Sequence, residues 1–523
     1  MLLPASEPNR LSRRGFLAGS ALTAGALLAS RGAVAANGVG PARNQAGVSE
    51  TEWSRLGKAL PGGRLLRPWD ADFHLVALPN NLRYASVQPQ GIVRCSSARD
   101  VAFAIKWARQ NGVPLVTRGG GHSYAGYSTT TGLMIETAWM NQTVYDPKTG
   151  VLRVRAGARN RNLGRVLRQN NRLFTHGRCA SVGIAGFLLG GGIGFNMRGY
   201  GLGCDQLLGS EIVLADGTVR YPGARSTDDE NVDLFWAMRG GGGGNFGIST
   251  GFALQTFSIP VKSVTVFNLS WRRTPDDKGA CTRSAEDIGA ALMAQLEQAS
   301  TALGSRISFG AVTPQRLAAG YDVSINLLGQ YAGPRAELEA MLRPVYDLCP
   351  PNGGAGIREM PYWDGQEFLN EEGYPEYYQE RSAFVTRPFG ANELAKAFQY
   401  LRRWPGTGGG ADIRFFQTGG RVNAVKPDGT AIVHRTSRWL SSIGLTWGGN
   451  DDHNDAVMRA NHDWQDAFYA EMRPLAGGGA FLNFADPSLA DYRTAYYGSN
   501  LARLTDVKRR IDPDNLFNFP QAI

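Results

Sequence analysis

The sequence predicts an α+β fold in two domains, on three observations. Its 523 residues exceed what one ordinary hydrophobic core holds together. In the first half, glycine-rich loops follow short apolar runs, the pattern of strands that deliver loops to a ligand at their ends. From about residue 262 the pattern changes to strands followed by helices, which suits an antiparallel sheet under helical cover. With 43% hydrophobic and 19% charged residues the chain is globular rather than disordered. The net charge of +10 comes from 55 Lys and Arg against 45 Asp and Glu, and the arginines are scattered. With no basic run, the charge reads as solvated surface, and no nucleic-acid partner is expected.

The N-terminus reads as a targeting segment. Ser12-Arg13-Arg14-Gly15-Phe16-Leu17 sets twin arginines before an apolar run that extends to Ala29, and Ala33-Val34-Ala35 is an A-x-A cleavage pattern. Residues 1–35 are therefore expected to be a twin-arginine signal peptide, with a periplasmic or extracellular product. An ordinary secretory signal is the lesser reading because the arginines are adjacent. The apolar run is short and rich in small residues, so no stable membrane anchor is expected.

Further along, residues 91–94 read as a strand, and 97–111 as a helix capped by Ser97 and ended by Gly112. Residues 113–116 read as the next strand, 132–136 and 151–157 as two more, and 162–170 as a helix. Residues 211–219 suit a hairpin turning at Asp216-Gly217. Beyond Pro260, strands are expected at 262–271 and 324–331, and helices at 284–298 and 335–347. Residues 352–378 read as an aromatic loop with Tyr362, Trp363, Tyr374, Tyr377 and Tyr378, which either packs or cradles a ring or sugar face. Residues 412–447 read as a set of strands, among them 419–425 and 430–435, whose alternate residues would face a substrate. A helix is expected at 455–472.

Two loops carry the chemistry. Arg118-Gly119-Gly120-Gly121-His122-Ser123 follows the strand at 113–116, and consecutive glycines let backbone N–H groups turn toward one anion such as a pyrophosphate. Gly177-Arg178-Cys179-Ala180-Ser181-Val182-Gly183 opens a second glycine-rich stretch that runs through Gly186, Gly191 and Gly192. One loop with a His and one with a Cys suit a dinucleotide held by its diphosphate and gripped at its ring. A G-x-G-x-x-G match at residues 242–247 precedes a β-rich run instead of a helix, which argues against a Rossmann site. The five cysteines, at 95, 179, 204, 281 and 349, show no C-x-x-C and no zinc spacing, so no metal site is expected. Their disulfide pairing is not readable.

These loops, with the block at 234–248 and the block at 496–523, resemble the berberine-bridge-enzyme-like family of FAD-linked oxidases, within the vanillyl-alcohol-oxidase superfamily. The resemblance runs from about Val87 to the last residue, dense at the four motifs and thin from 262 to 410. It implies an FAD-binding domain at 83–260, interrupted by an antiparallel-sheet substrate domain at 261–480, with a C-terminal return at 481–523. It implies FAD bonded covalently through His122, at the flavin 8α carbon, and through Cys179, at flavin C6. Arg118, Gly119, Gly120, Gly121, Ser123, Gly177, Arg178, Ser181, Val182, Gly183, Gly186, Gly191, Gly192, Gly247, Ile248 and Asn500 are implied cofactor-binding residues. Val182 resembles the family's oxygen gate, where a small side chain accompanies reaction with O2.

The implied reaction takes hydride from a hydroxyl-bearing carbon of a sugar, alcohol or polycyclic metabolite to flavin N5, with O2 then reduced to H2O2. The chain departs from the family where a base is needed. Phe481 and Phe484 stand where a Y-x-N-Y-x-D block has tyrosines, Ile193 where many plant members have tyrosine, and Phe187 where a histidine is common. The remaining candidates are Tyr124, Tyr496 and Tyr497. Two alternatives stay open: a dehydrogenase that uses a quinone or other acceptor, and a catalytically idle binding protein on the same scaffold.

Overall fold

Local signals in the first half become structure almost residue for residue. Ser97 and Asp100 form a capping box that starts the helix Ala98–Asn111, and Gly112 ends it at φ 64°. The helix packs Val101, Ala104, Ile105 and Ala108 against Trp53 and Leu56 of the helix Glu50–Ala59 and against the strands beneath. These features belong to a computed structural model that describes residues 47–277, 281–387 and 389–523. The expected signal peptide, 1–35, lies outside the described residues. Among the described residues no helix is long and apolar enough to cross a membrane.

Three main sheets carry the fold. The first has four strands in the order Arg64–Leu66, Gly91–Arg94, Leu133–Glu136 and Leu115–Arg118, the last three parallel. It recruits Arg64–Leu66, ahead of the expected domain start at residue 83. The second sheet is antiparallel, with strands Thr143–Asp146, Val151–Arg155, Ile248–Gln255, Leu207–Val213 and Val219–Arg220. Its last pair is the hairpin expected at Asp216-Gly217.

The third sheet has seven antiparallel strands, ordered Gly353–Met360, Val264–Trp271, Ser324–Tyr331, Leu303–Gly310, Ala411–Gln417, Trp439–Trp447 and Tyr377–Val385. The helices Ala285–Glu297, Arg335–Leu348, Ala391–Leu401 and Asp455–Ala476 bury apolar residues with one face of it. Phe309, Phe398 and Phe415 meet there, with ring centroids 5.0 and 6.0 Å apart. A Cβ on Gly289 would lie 2.9 Å from the Phe309 ring, so glycine sets how closely that helix approaches the sheet. The opposite face of the sheet is left for the site. Cys281 and Cys349 form a disulfide, while Cys95 and Cys204 are buried thiols.

Four expectations need correction. The strand expected at 113–116 is Leu115–Arg118, so Arg118 ends a strand instead of opening the loop. Residues 352–378 are not a loop: Gly353–Met360 pairs with Val264–Trp271, and Tyr362–Phe368 is helical. Glycines at the start of that strand hide its period. Residues 419–425 and 430–435 are not strands. Gly419 and Gly420, at φ 89° and 57°, turn the chain out of the sheet into the helical turn Arg421–Ala424. Arg435 then holds the irregular segment through Asp205, Thr430 Oγ1 and the Val422 carbonyl. The β-branched residues at 430–433 reflect burial under this clamp.

Candidate active site

The strand Leu115–Arg118 hands over to Gly119-Gly120-Gly121, and the second loop meets it backbone to backbone. A Cβ on Gly120 would lie 2.3 Å from Gly183 N, and one on Gly183 2.4 Å from Gly120 N. Only glycine at both positions lets the loops approach this closely. The contact brings His122 and Cys179 to one hydroxyl: Ser181 Oγ lies 3.0 Å from His122 Nε2 and 3.2 Å from Cys179 Sγ. Burial, with the Arg159 charge added, pushes His122 down to about 4. Its ring is therefore neutral near pH 7 and available as a nucleophile.

Both loops face a cavity of about 970 Å³ that residues of all three sequence segments line. Tyr127 Oη, Ser128 Oγ and Ser249 Oγ on its wall are buried and have no hydrogen-bonding partner among the described residues. Buried hydroxyls of this kind call for a polar ligand. With the glycine backbones at 119–121 and 242–244, they fit the diphosphate and polyol of a dinucleotide. His122 and Cys179 fit its ring.

The seven-stranded sheet supplies the facing wall through strict alternation. Ile413 and Phe415 point into the helical core, while Asp412, Arg414 and Phe416 line the cavity. Arg414 donates to Glu380 Oε1 at 2.8 Å and to Asp412 Oδ2 at 2.7 Å, and Ser442 Oγ bonds the second oxygen of Glu380. Gly444 lies opposite both Asp412 and Glu380, and a Cβ there would come within 2.8 Å of Asp412 Oδ1. The carboxylates can close on Arg414 only because the row between them has no side chain. Burial holds Glu380 above the usual carboxylate range against the opposing pull of Arg414. Asp412 Oδ1 is buried and has no partner among the described residues. Nearer the two glycine loops, Glu371 pairs with Arg178 and lies 3.6 Å from Arg306. Burial works against its charge, but the two arginines outweigh burial and keep it low.

The expected residues divide between cavity and scaffold. Gly119, Gly120, Gly121, His122, Ser123, Tyr124, Gly177, Arg178, Cys179, Val182, Gly183, Gly186 and Gly247 line the cavity. Arg118 does not: its guanidinium donates to the carbonyls of Val76, Ala77 and Ser128. Gly191, Gly192 and Ile248 also lie off the cavity wall, the two glycines at close approaches of Phe481 and Phe187. Asn500 donates to the carbonyls of Pro427, Thr430 and Ala431.

Tyr496 and Tyr497 are buried away from the cavity. Tyr496 Oη accepts from Asp486 N, and Tyr497 Oη donates to the Gly241 carbonyl, so both hydroxyls serve contacts off the cavity wall. Tyr124 does line the cavity, but burial and then Glu380 push its phenol far up, which makes it a donor and not a phenolate. Tyr374 and Tyr378 of the aromatic stretch line the cavity, whereas Trp363 donates to Arg172 O and Tyr377 packs on Trp447. Glu380, Asp412, Arg414 and Arg306 escape motif reading. The one signal is Asp412 and Arg414 on the same face of the otherwise apolar run 411–416.

A family model described as FAD binding domain matches residues 89–221, and one described as Berberine and berberine like matches residues 480–523. An FAD-linked oxidoreductase of Bacillus subtilis is 29% identical over 464 residues, 88% of this chain and 96% of that protein. A carbohydrate oxidase of Microdochium nivale is 28% identical over 487 residues, 87% of this chain and 92% of that protein. The structure of wild-type BBE-like 1 from Physcomitrella patens has a TM-score of 0.77 at 25% identity, covering 90% of this chain and 98% of that one.

Proposed function

We propose, for a chain that belongs to the berberine-bridge-enzyme-like FAD-linked oxidoreductases, that it is an exported oxidase acting on a hydroxyl-bearing carbon of a carbohydrate. The observation that carries this reading is the facing wall of Asp412, Arg414 and Glu380. It offers paired charged acceptors and donors where a polycyclic substrate would want an apolar surface. A carbohydrate oxidase among the relatives supports the same class.

His122 and Cys179 would hold FAD covalently, with the glycine backbones and the hydroxyls of Tyr127, Ser128 and Ser249 around its polar parts. Bound there, FAD supplies a two-electron acceptor whose electrons pass to O2 as H2O2. Asp412 Oδ1 takes the substrate hydroxyl proton, its other oxygen held by Arg414. Tyr124 donates a hydrogen bond to the substrate oxygen. Val182, on the cavity wall beside Gly183, leaves the gap through which O2 enters. The twin-arginine segment exports the chain already folded.

Peroxide release over a panel of mono- and oligosaccharides, simple alcohols and polycyclic metabolites tests the proposal. Carbohydrates should give the highest kcat/KM. Turnover confined to polycyclic metabolites would reject it.

A further inference from the structure

We infer that Ser181 is a positioning residue for flavin attachment: its hydroxyl holds His122 in the tautomer that leaves the Nδ1 lone pair bare. The inference rests on the proposed attachment at His122. A hydroxyl has one proton to donate and two lone pairs to accept with. Around Ser181 Oγ lie Glu372 O at 3.0 Å, Gly373 O at 3.1 Å, His122 Nε2 at 3.0 Å and Cys179 Sγ at 3.2 Å. The two carbonyls can only accept, so the single proton goes to them. The lone pairs then face His122 and Cys179, which must donate: Nε2–H on one side and S–H on the other. A neutral imidazole carries one N–H. With that proton on Nε2, Nδ1 is the nucleophilic nitrogen.

The segment that carries these carbonyls is itself held. Asn80 Nδ2 donates to Gly373 O at 3.0 Å, and Ala180 N donates to Glu371 O at 3.0 Å. Gly373, at φ 67°, sits so close that a Cβ would lie 2.0 Å from Cys179 Sγ and 2.6 Å from Ser181 Oγ. The segment 371–373, from the inserted half of the chain, therefore closes over both attachment side chains and sets their proton network. His122 is also the right group for such control, because burial keeps its ring neutral.

Attachment at Nδ1 exchanges a C–H of the flavin methyl and the imidazole N–H for one C–N bond. The two protons and two electrons released reduce O2, the acceptor already proposed, to H2O2. Once Nε2 has lost its proton, the Ser181 hydroxyl can turn and donate to it.

The test uses a Cys179→Ala background, in which His122 is the only attachment residue left. Flavin is measured in the soluble protein and again in the acid-precipitated pellet. Cys179→Ala alone should keep its flavin in the pellet. Adding Ser181→Ala should leave FAD bound in the soluble protein but lower the attached fraction by about tenfold. Ser181→Thr, which keeps the hydroxyl, should restore it. NMR of the flavin peptide from wild type should show linkage through Nδ1. An attached fraction unchanged by Ser181→Ala, a loss that Thr does not restore, or linkage through Nε2 would overturn the role of Ser181. If Cys179→Ala alone releases all its flavin, attachment at His122 itself is rejected, a result distinct from those three.

Discussion

The two walls of the cavity are built by opposite means. The glycine-loop wall is backbone: Gly120 and Gly183 touch main chain to main chain, and His122 and Cys179 stand on the two loops. The facing wall is side chain, with Asp412, Arg414 and Glu380 projecting from two strands of one sheet and closing over Gly444. A wall made of backbone can hold a cofactor whose shape is constant across a family. A wall made of alternating side chains can change its substrate without disturbing the fold. Phe481 and Phe484 also line the cavity, with Phe484 packed on Phe416 of this second wall; the proposed acid–base residues project from the same wall.

The largest effect should come from cutting the link between the two halves. Arg435, in the inserted half, is fully buried against Asp205 of the first half at 2.7 Å. Asp205→Ala leaves a buried guanidinium unpaired and should cost about 3–5 kcal/mol of unfolding free energy in denaturant titrations. A loss below about 1 kcal/mol would mean that this ion pair contributes little to joining the halves.

Next in size is the facing wall itself. Asp412→Asn should lower kcat by about a hundredfold or more while flavin content stays unchanged. Steady-state kinetics beside the visible spectrum separate the two quantities. Near-normal kcat would move the base elsewhere, with Glu380 the next residue to change.

The glycine-loop wall should answer differently. Val182→Leu should slow reoxidation of photoreduced protein by about tenfold, or about 1.4 kcal/mol of barrier, with reduction by substrate nearly intact. Stopped-flow mixing with aerated buffer reads it, and an unchanged oxygen rate would mean that Val182 does not gate O2.

The two walls also differ in how far the sequence discloses them. Gly119-Gly120-Gly121-His122 and Gly177-Arg178-Cys179 are legible because backbone requirements leave glycine in the sequence, locally and in order. Ser97, Asp100 and Gly112 are legible for the same reason. Glu380 is not, because its strand Tyr377–Val385 follows a stretch that reads as loop, and its partner Arg414 joins it only through sheet register. Arg435 misleads in the other direction: the β-branched residues before it suggest a strand, while its buried pair with Asp205 sets an irregular path. The candidates for the base are also sorted by contacts. Tyr496 and Tyr497 have the right chemistry in sequence and the wrong surroundings in the fold.

A separate effect is one of pH. Burial pushes His434 down from 6.5 to about 4, and its Nε2–H donates to the Ala495 carbonyl at 2.9 Å. The unfolded chain therefore binds a proton at this residue before the folded chain does. Stability that His434 leaves intact above pH 6.5 should fall progressively as the pH drops toward about 4. His434→Gln should flatten that part of a denaturant-midpoint profile. An identical slope in the variant would assign the acid sensitivity to other groups.

An anaerobic titration of the flavin-loaded protein with oligosaccharides, followed by air, tests a carbohydrate oxidase most directly. The flavin band should bleach on sugar addition and return when O2 is admitted, with peroxide formed in proportion to the flavin bleached. A band unmoved by any carbohydrate, in protein whose photoreduced flavin still reacts with O2, would contradict it.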